Sequence, residues 1–387
     1  MKIALFSHVS YPFTNGVAVS VEQLAKTLRD KGHDVTIVSN NYNKFGNDFS
    51  NKEDIKVISV PIFYQNLRTP VLINPSLFKE LSKQSYDIMH SHSDFGLAML
   101  ARTYTKSHNI PLIHTYHCNY LGYAKENFGK HSPALFYMPV KLYTKMLCAT
   151  TDRMIVPSFE TKHLLEDNFK VKKPLDVVPN GIDLSKFSST STNTKELKDK
   201  YEIKDNDIVI LSLSRLSKEK NIDNLITLLP LLRDIPNIKL LIVGGGPEEN
   251  NLKKLVKTYG LQNVIFTGEV PFSQVQDYYK LGDVFVTCSE DETQGLTVIE
   301  SLASSLPVIC PNTPLYEEIV NNFGNGLLYN NKTELSHFIR MCYYNHKFLN
   351  IMAKQAKGSV TRFSLDQSVQ KIEDIYKEEK EKQLLLK

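Results

Sequence analysis

Short runs rich in Val, Ile and Leu recur along the chain, each ending in polar residues and most followed by a stretch of helical periodicity. The first is KIALFSH, residues 2–8, followed by GVAVSVEQLAKTLRDKG, 16–32, with apolar residues on one helical face and a closing glycine. DVTIVSN, IKVISV, DIMHSH, PLIHTYH, RMIVPS and LDVVPNG continue the strand series. The pattern restarts near residue 207 with DIVILSLS and the helical NIDNLITLLPLLRD, then KLLIVGGG, NVIFTG, DVFVTCS and LPVIC. Strands that are apolar almost throughout, alternating with helices, predict parallel sheets covered on both faces. The expected fold class is α/β, with two doubly wound domains facing across a cleft. Ser, Thr and Asn crowd the middle of residues 180–207, which marks a boundary. The expected division is residues 1–185, a linker at 186–206, a second domain at 207–364 and a charged helix at 365–387, packed back on the first domain or projecting into solvent.

A chain of 387 residues is long for one core and suits two domains. No apolar run reaches the length of a membrane span, and the apolar start at MKIALFSHVSYPF is too short for a signal peptide. Five scattered cysteines without a CxxC pair argue for reduced thiols rather than disulfides or zinc. Net charge is +4 and uneven: residues 1–183 hold 21 Lys+Arg against 16 Asp+Glu, the remainder 25 against 26. The first half therefore suits an anionic partner, although ordinary surface charge also explains so small an excess.

The chemistry-bearing residues fall where the strands of the second series end, which is where open α/β sheets bind ligands. SLSRLSKEKN supplies Arg215 and Lys220, two cations suited to a diphosphate. IVGGGPE sets Gly244, Gly245 and Gly246 at the next strand end, where a glycine turn lets a ligand approach the backbone. FTGEV offers backbone groups from Gly268 to Val270 that suit a base. In SEDETQGLTVIE, a helix starting near Gly295 leaves Glu292 in the entering loop and Glu300 about one turn inside. The free N–H groups of Leu296 and Thr297 then face an anion, Glu300 suits ribose hydroxyls and Glu292 the hydroxyls of a sugar. Each motif alone also reads as a solvated loop or helix start; their order at successive strand ends is what points to a nucleotide sugar.

With these motifs the chain resembles the retaining glycosyltransferases of the GT-B fold, in the large group numbered family 4. The resemblance runs from the NGV turn at 15–17 through VPNGID, SRLSKEKN, VGGGPE and FTGEV to ETQGLTVIE. It implies a nucleotide-sugar donor, a UDP-sugar by resemblance, held mainly by the second domain, with no metal or other cofactor. Arg215 and Lys220 would hold the diphosphate, Glu300 the ribose and Glu292 the transferred sugar, with Gly295, Leu296 and Thr297 under the phosphates. Gly245 and Val270 would complete the donor side. Gly16 stands in a turn where the family often carries two glycines and this chain has Asn15-Gly16. His117 matches the family histidine beside the transferred sugar. His90, His92 and His114 form HxH-like pairs with it, but the two strand histidines share one face, where such residues usually satisfy backbone groups, and the resemblance implies no metal.

Residues 117–150 carry the acceptor expectation. Tyr120, Lys125, Lys130, Lys141 and Lys145 lie among aromatic residues with Glu126 as the sole carboxylate, a composition that suits a lipid interface. A core helix with lysines on its outer face fits the same stretch. The segment is similar to that of glucosyltransferases acting on diacylglycerol, which implies glucose from UDP-glucose, a lipid acceptor and peripheral attachment to the anionic inner face of the plasma membrane. A soluble or polysaccharide-linked sugar acceptor and an inactive nucleotide-sugar-binding module are the alternatives. Nothing resembles a nucleic-acid fold.

Overall fold

A computed structural model describes residues 1–7, 16–40, 56–60, 62–64, 69–70, 75–93, 96–117, 133–188 and 193–385. The chain divides into two compact units, the first running to Gly181 and taking in Leu365–Lys387, the second spanning Ile182–Ser364.

The first unit is built on strands β1 (Lys2–Ser7), β2 (Asp34–Asn40), β3 (Lys56–Val60), β6 (Ile88–Ser91), β7 (Leu112–Thr115), β8 (Arg153–Val156) and β9 (Leu175–Val177), with β4 (Ile62–Tyr64) and β5 (Thr69–Pro70) as a separate antiparallel pair. The seven strands are parallel in the order β3-β2-β1-β6-β7-β8-β9. Successive side chains alternate faces. Ile3, Leu5, Val35 and Ile37 therefore enter one core, and Ala4, Phe6 and Val38 the other. Helix Leu365–Leu385 belongs to the first core, through Val369, Ile372, Ile375 and Tyr376. Its polar face is held by Lys31 on Glu373 at 2.9 Å and by Arg153 on Glu378 and Glu379, each at 3.2 Å.

The second unit carries β10 (Ile208–Leu213), β11 (Ile238–Val243), β12 (Val264–Phe266), β13 (Val284–Val286), β14 (Val308–Pro311) and β15 (Gly326–Tyr329), parallel in the order β12-β11-β10-β13-β14-β15. Val209, Leu211, Leu241 and Val243 fill one side and Ile210, Leu240 and Ile242 the other. Burial on both faces is why these strands read as continuous apolar runs.

Two features differ from the sequence reading. Residues 186–206 are more than a linker. Helices Leu184–Ser188 and Thr194–Lys200 lie here, and Phe187, Ile203, Leu197 and Tyr201 join the core of the second unit. β15, from GLLY, completes a sheet edge that the sequence reading passed over. The described cysteines, Cys148, Cys288, Cys310 and Cys342, are free and buried.

Candidate active site

In the second sheet the strand order reverses between β10 and β13, and in the first between β1 and β6. Such switch points open a crevice beyond the C-terminal strand ends. Each unit gathers polar residues there.

In the second unit, β10 runs into Ser214 and Arg215, then a single turn, Lys218–Lys220. Asn221 takes the left-handed conformation, φ 48°, and its amide donates to the Cys288 carbonyl beyond β13 at 3.1 Å. This contact ties the two strand ends together. Lys220 Nζ donates to Glu292 Oε1 at 2.6 Å, with both side chains about one-fifth exposed. Arg215 is exposed and forms no ion pair among the described residues.

Gly244, at φ 127°, explains why the next turn is glycine-rich. A Cβ there would overlap the Ser214 carbonyl, and one on Gly246 the Leu216 carbonyl. The two turns are laced by Ser214 N–H to Val243 O, Leu216 N–H to Gly245 O and Glu248 N–H to Leu216 O. At Gly244 and Gly246 the missing side chains therefore make room for protein backbone, a tighter constraint than the ligand approach expected from sequence. A Cβ on Gly245 would meet the Glu269 side chain at 3.2 Å. Val270, half-buried, rests on the core.

Gly295 is left-handed, φ 67°, and starts helix Leu296–Ala303, whose N-terminus no side chain caps. Leu296 and Thr297 hold its first positions, half-buried, and the helix dipole favours an anion there. Glu300 faces inward at 7% exposure, its Oε2 accepting from the Tyr279 hydroxyl at 2.7 Å. Burial pushes the Glu300 carboxyl up to about 7, against the opposing pull of that hydrogen bond. Tyr279 was missed by sequence reasoning, because nothing near it in the chain signals a partner 21 residues away.

In the first unit, Gly16 opens helix Gly16–Asp30, and the turn before it lies outside the described residues. Four buried histidines lie in β6 and β7 or just after them, His90 and His114 in the strands, His92 and His117 beyond their ends. His90 and His92 share a face as their spacing predicts, with ring centroids 4.0 Å apart. His90 Nδ1 bonds the Tyr376 hydroxyl at 2.6 Å and its Nε2 the Thr115 hydroxyl at 2.7 Å. His92 Nδ1 bonds His117 Nε2 at 2.9 Å. Burial holds His90 and His92 well below the ordinary imidazole value, reinforced by the neighbouring rings, and puts His114 at about 3, helped by Arg102. Among the described residues no group of three or more His, Cys, Asp or Glu is arranged to hold a metal ion.

Helix Pro133–Ala149 carries Lys141 and Lys145. Met138, Leu142 and Met146 are 53%, 61% and 37% exposed, a stripe at i, i+4 and i+8. Tyr120, Lys125 and Lys130 lie outside the described residues. No helix among the described residues is long and apolar enough to cross a membrane.

Family models match nearly the whole chain: Glycosyltransferase Family 4 over residues 14–186, and Glycosyl transferases group 1 over 193–359. The α-monoglucosyldiacylglycerol synthase of Streptococcus pneumoniae is 35% identical over 342 residues, 87% of this chain and 77% of that protein. The synthase of the same name from Acholeplasma laidlawii is 30% identical over 397 residues, covering 97% and 96%. Among solved structures, Anabaena Alr3699/HepE in complex with UDP aligns with TM-score 0.79 at 18% identity over 98% of this chain and 100% of that one. WaaG, a glycosyltransferase involved in lipopolysaccharide biosynthesis, aligns with TM-score 0.72 at 17% identity, covering 97% and 99%. Two parallel sheets on this topology, matched end to end by these relatives, place the chain among the GT-B glycosyltransferases of family 4, and it is a glycosyl-transferring enzyme.

Proposed function

We propose that this enzyme transfers glucose from UDP-glucose to diacylglycerol at the cytoplasmic face of the membrane, retaining the anomeric configuration. The names of the two synthases support the sugar and the acceptor. The observation in this chain that carries the lipid reading is the Met138, Leu142, Met146 stripe beside Lys141 and Lys145. Exposed apolar side chains with adjacent lysines suit insertion among anionic headgroups. Tyr120, Lys125 and Lys130 extend that acceptor side in sequence.

On the donor side, Arg215, Lys220 and the uncapped helix after Gly295 take up the charge of the departing diphosphate. Leu296 and Thr297 offer backbone N–H groups, Glu300 takes the ribose and Glu292 the sugar hydroxyls. Gly245 and Val270 line the remainder of the second unit's donor side. His117 sits beside the transferred sugar. The anomeric carbon–oxygen bond to the diphosphate breaks as the acceptor oxygen bonds on the same face, and the acceptor proton passes to the leaving oxygen. This front-face route uses positioning and charge alone and needs no metal.

The test is a donor-by-acceptor assay with UDP-glucose, UDP-galactose, UDP-N-acetylglucosamine and GDP-mannose, with and without vesicles of diacylglycerol and anionic lipid. Glucolipid formed from UDP-glucose only with vesicles is the expected result. Donor hydrolysis without glycolipid would overturn the lipid acceptor. Turnover of none of the donors would overturn the whole reading.

A further inference from the structure

Glu300 and Tyr279 come from separate helices, Leu296–Ala303 and Val275–Tyr279, and meet inside the second unit. The Tyr279 hydroxyl donates to Glu300 Oε2 at 2.7 Å. It keeps its proton, because burial and the Glu300 charge both hold the phenol well above its ordinary value. The Tyr279 ring, 1% exposed, packs against Phe187 and Phe285, with ring centroids 5.9 and 6.0 Å away, so the hydroxyl has a fixed position. Glu300 Oε1 makes no hydrogen bond among the described residues and keeps access to solvent. One carboxylate oxygen is therefore held by the protein and the other is left for a ligand.

Among the described residues Tyr279 is the sole polar side chain acting on this carboxyl: burial raises it, and the Tyr279 hydrogen bond pulls it back. On the helices packed against Leu296–Ala303, the ionisable groups Lys186, His346, Lys347, Lys354 and Lys357 are exposed. The neighbouring strand β14 adds the buried thiol of Cys310, which burial keeps protonated. On Tyr279's own helix, Asp277 is half-buried, and Tyr278 meets Tyr201 instead, hydroxyl to hydroxyl at 3.3 Å.

We propose that Tyr279 is a positioning residue for donor binding, its hydroxyl anchoring Glu300 Oε2 so that the charged carboxylate presents Oε1 to the ribose hydroxyls. This rests on the reading of Glu300 as the ribose acceptor. The experiment measures UDP affinity by calorimetry at pH 7 and pH 8.5 for the parent, Tyr279→Phe, Glu300→Gln and the double variant. Phe keeps the ring against Phe187 and Phe285 and removes only the hydroxyl. The parent carboxyl is half ionised at about 7, and losing one hydrogen bond to its charged form moves that midpoint up by about one pH unit. Tyr279→Phe should therefore bind UDP about fivefold more weakly than the parent at pH 7 and within about twofold of it at pH 8.5. That recovery at pH 8.5 identifies a folded donor site. In the Glu300→Gln background, where nothing titrates at this position, Tyr279→Phe should have the same small effect at both pH values. No loss at pH 7, an equal loss at both pH values, or a pH-dependent loss that persists in the double variant would overturn the proposal. Glu300→Gln binding UDP as tightly as the parent would instead overturn the reading of Glu300 itself.

Discussion

Glu300→Gln separates what Glu300 does for stability from what it does for binding. The carboxyl is 7% exposed, and burial holds it near 7 rather than the ordinary 4.5. The folded protein thus binds this proton more tightly than the unfolded chain does. Stability from this group is fully present below about pH 4.5 and is lost as pH rises through 7. At about 1.4 kcal/mol per pKa unit, ionising Glu300 in the fold costs about 3 kcal/mol at pH 8 and about 1 kcal/mol at pH 5. Glutamine keeps an oxygen for the Tyr279 hydroxyl but has no charge to desolvate. Urea unfolding should find Glu300→Gln more stable than the parent by about 3 kcal/mol at pH 8, with the advantage shrinking by about 2 kcal/mol at pH 5. In the same variant, affinity for UDP-glucose should fall, because an ionised carboxylate accepts ribose hydroxyl hydrogen bonds more strongly than an amide. Affinity of the parent should rise with pH through 7 as Glu300 ionises. The same stability difference at both pH values would refute the proton linkage. A variant that is more stable yet binds donor normally would refute the ribose assignment.

Lys220→Met should lower kcat by about 10²- to 10³-fold through the lost leaving-group charge, read in the UDP-glucose assay, and Lys220→Arg should recover part of it. Replacing Met138, Leu142 and Met146 together by serine removes three half-exposed side chains, each with about 1 kcal/mol of unused apolar burial. Sedimentation with anionic vesicles should weaken by about 30-fold or more, while the thermal midpoint stays put because none of the three is buried in the core. Gly181→Ala should destabilise the first unit by roughly 1–3 kcal/mol or more, seen as a lower thermal midpoint, because its Cβ would lie 2.5 Å from Leu365 Cα and 2.9 Å from Ser368 Cβ. Tyr376→Phe should cost about 1–3 kcal/mol by leaving His90 Nδ1 buried without its hydroxyl, measured by urea unfolding.

The alternation of strands and helices was legible because parallel strands buried on both faces need unbroken apolar runs, such as IVILSL and IKLLIV. The helix start after Gly295 was legible too, since a left-handed glycine and the apolar LTVIESLA leave few other conformations. Pairings across long sequence distance were not. Tyr279 on Glu300, Tyr376 on His90 and His92 on His117 are contacts that arise only when elements distant in sequence are brought together. Gly181 shows the same limit. In VPNGID nothing marks its surroundings, and its actual constraint is the close passage of Leu365, 184 positions later. The helices within residues 184–200 were hidden by a Ser- and Thr-rich composition, and they form because Leu184, Phe187 and Leu197 find an apolar surface to cover.

The Lys220–Glu292 pair bears on how the proposed donor would be recognised. Both groups are already charged, partly desolvated and held within 2.6 Å of each other, so neither waits for a ligand to order it. A diphosphate approaching Lys220 competes with Glu292 for the ammonium. A phosphate placed there without a sugar would leave Glu292 with a weakened partner and a second negative charge nearby. A sugar hydroxyl offered to Glu292 removes that penalty, because the carboxylate exchanges part of its ion pair for a hydrogen bond. The pair thus favours a ligand carrying both groups over either alone, a differential that comes from repulsion as much as from attraction. Arg215, exposed and with no ion pair among the described residues, adds positive charge without this coupling. With the proposed donor, Arg215 and Lys220 would both take up leaving-group charge, and Lys220 alone would also couple that charge to the sugar end through Glu292.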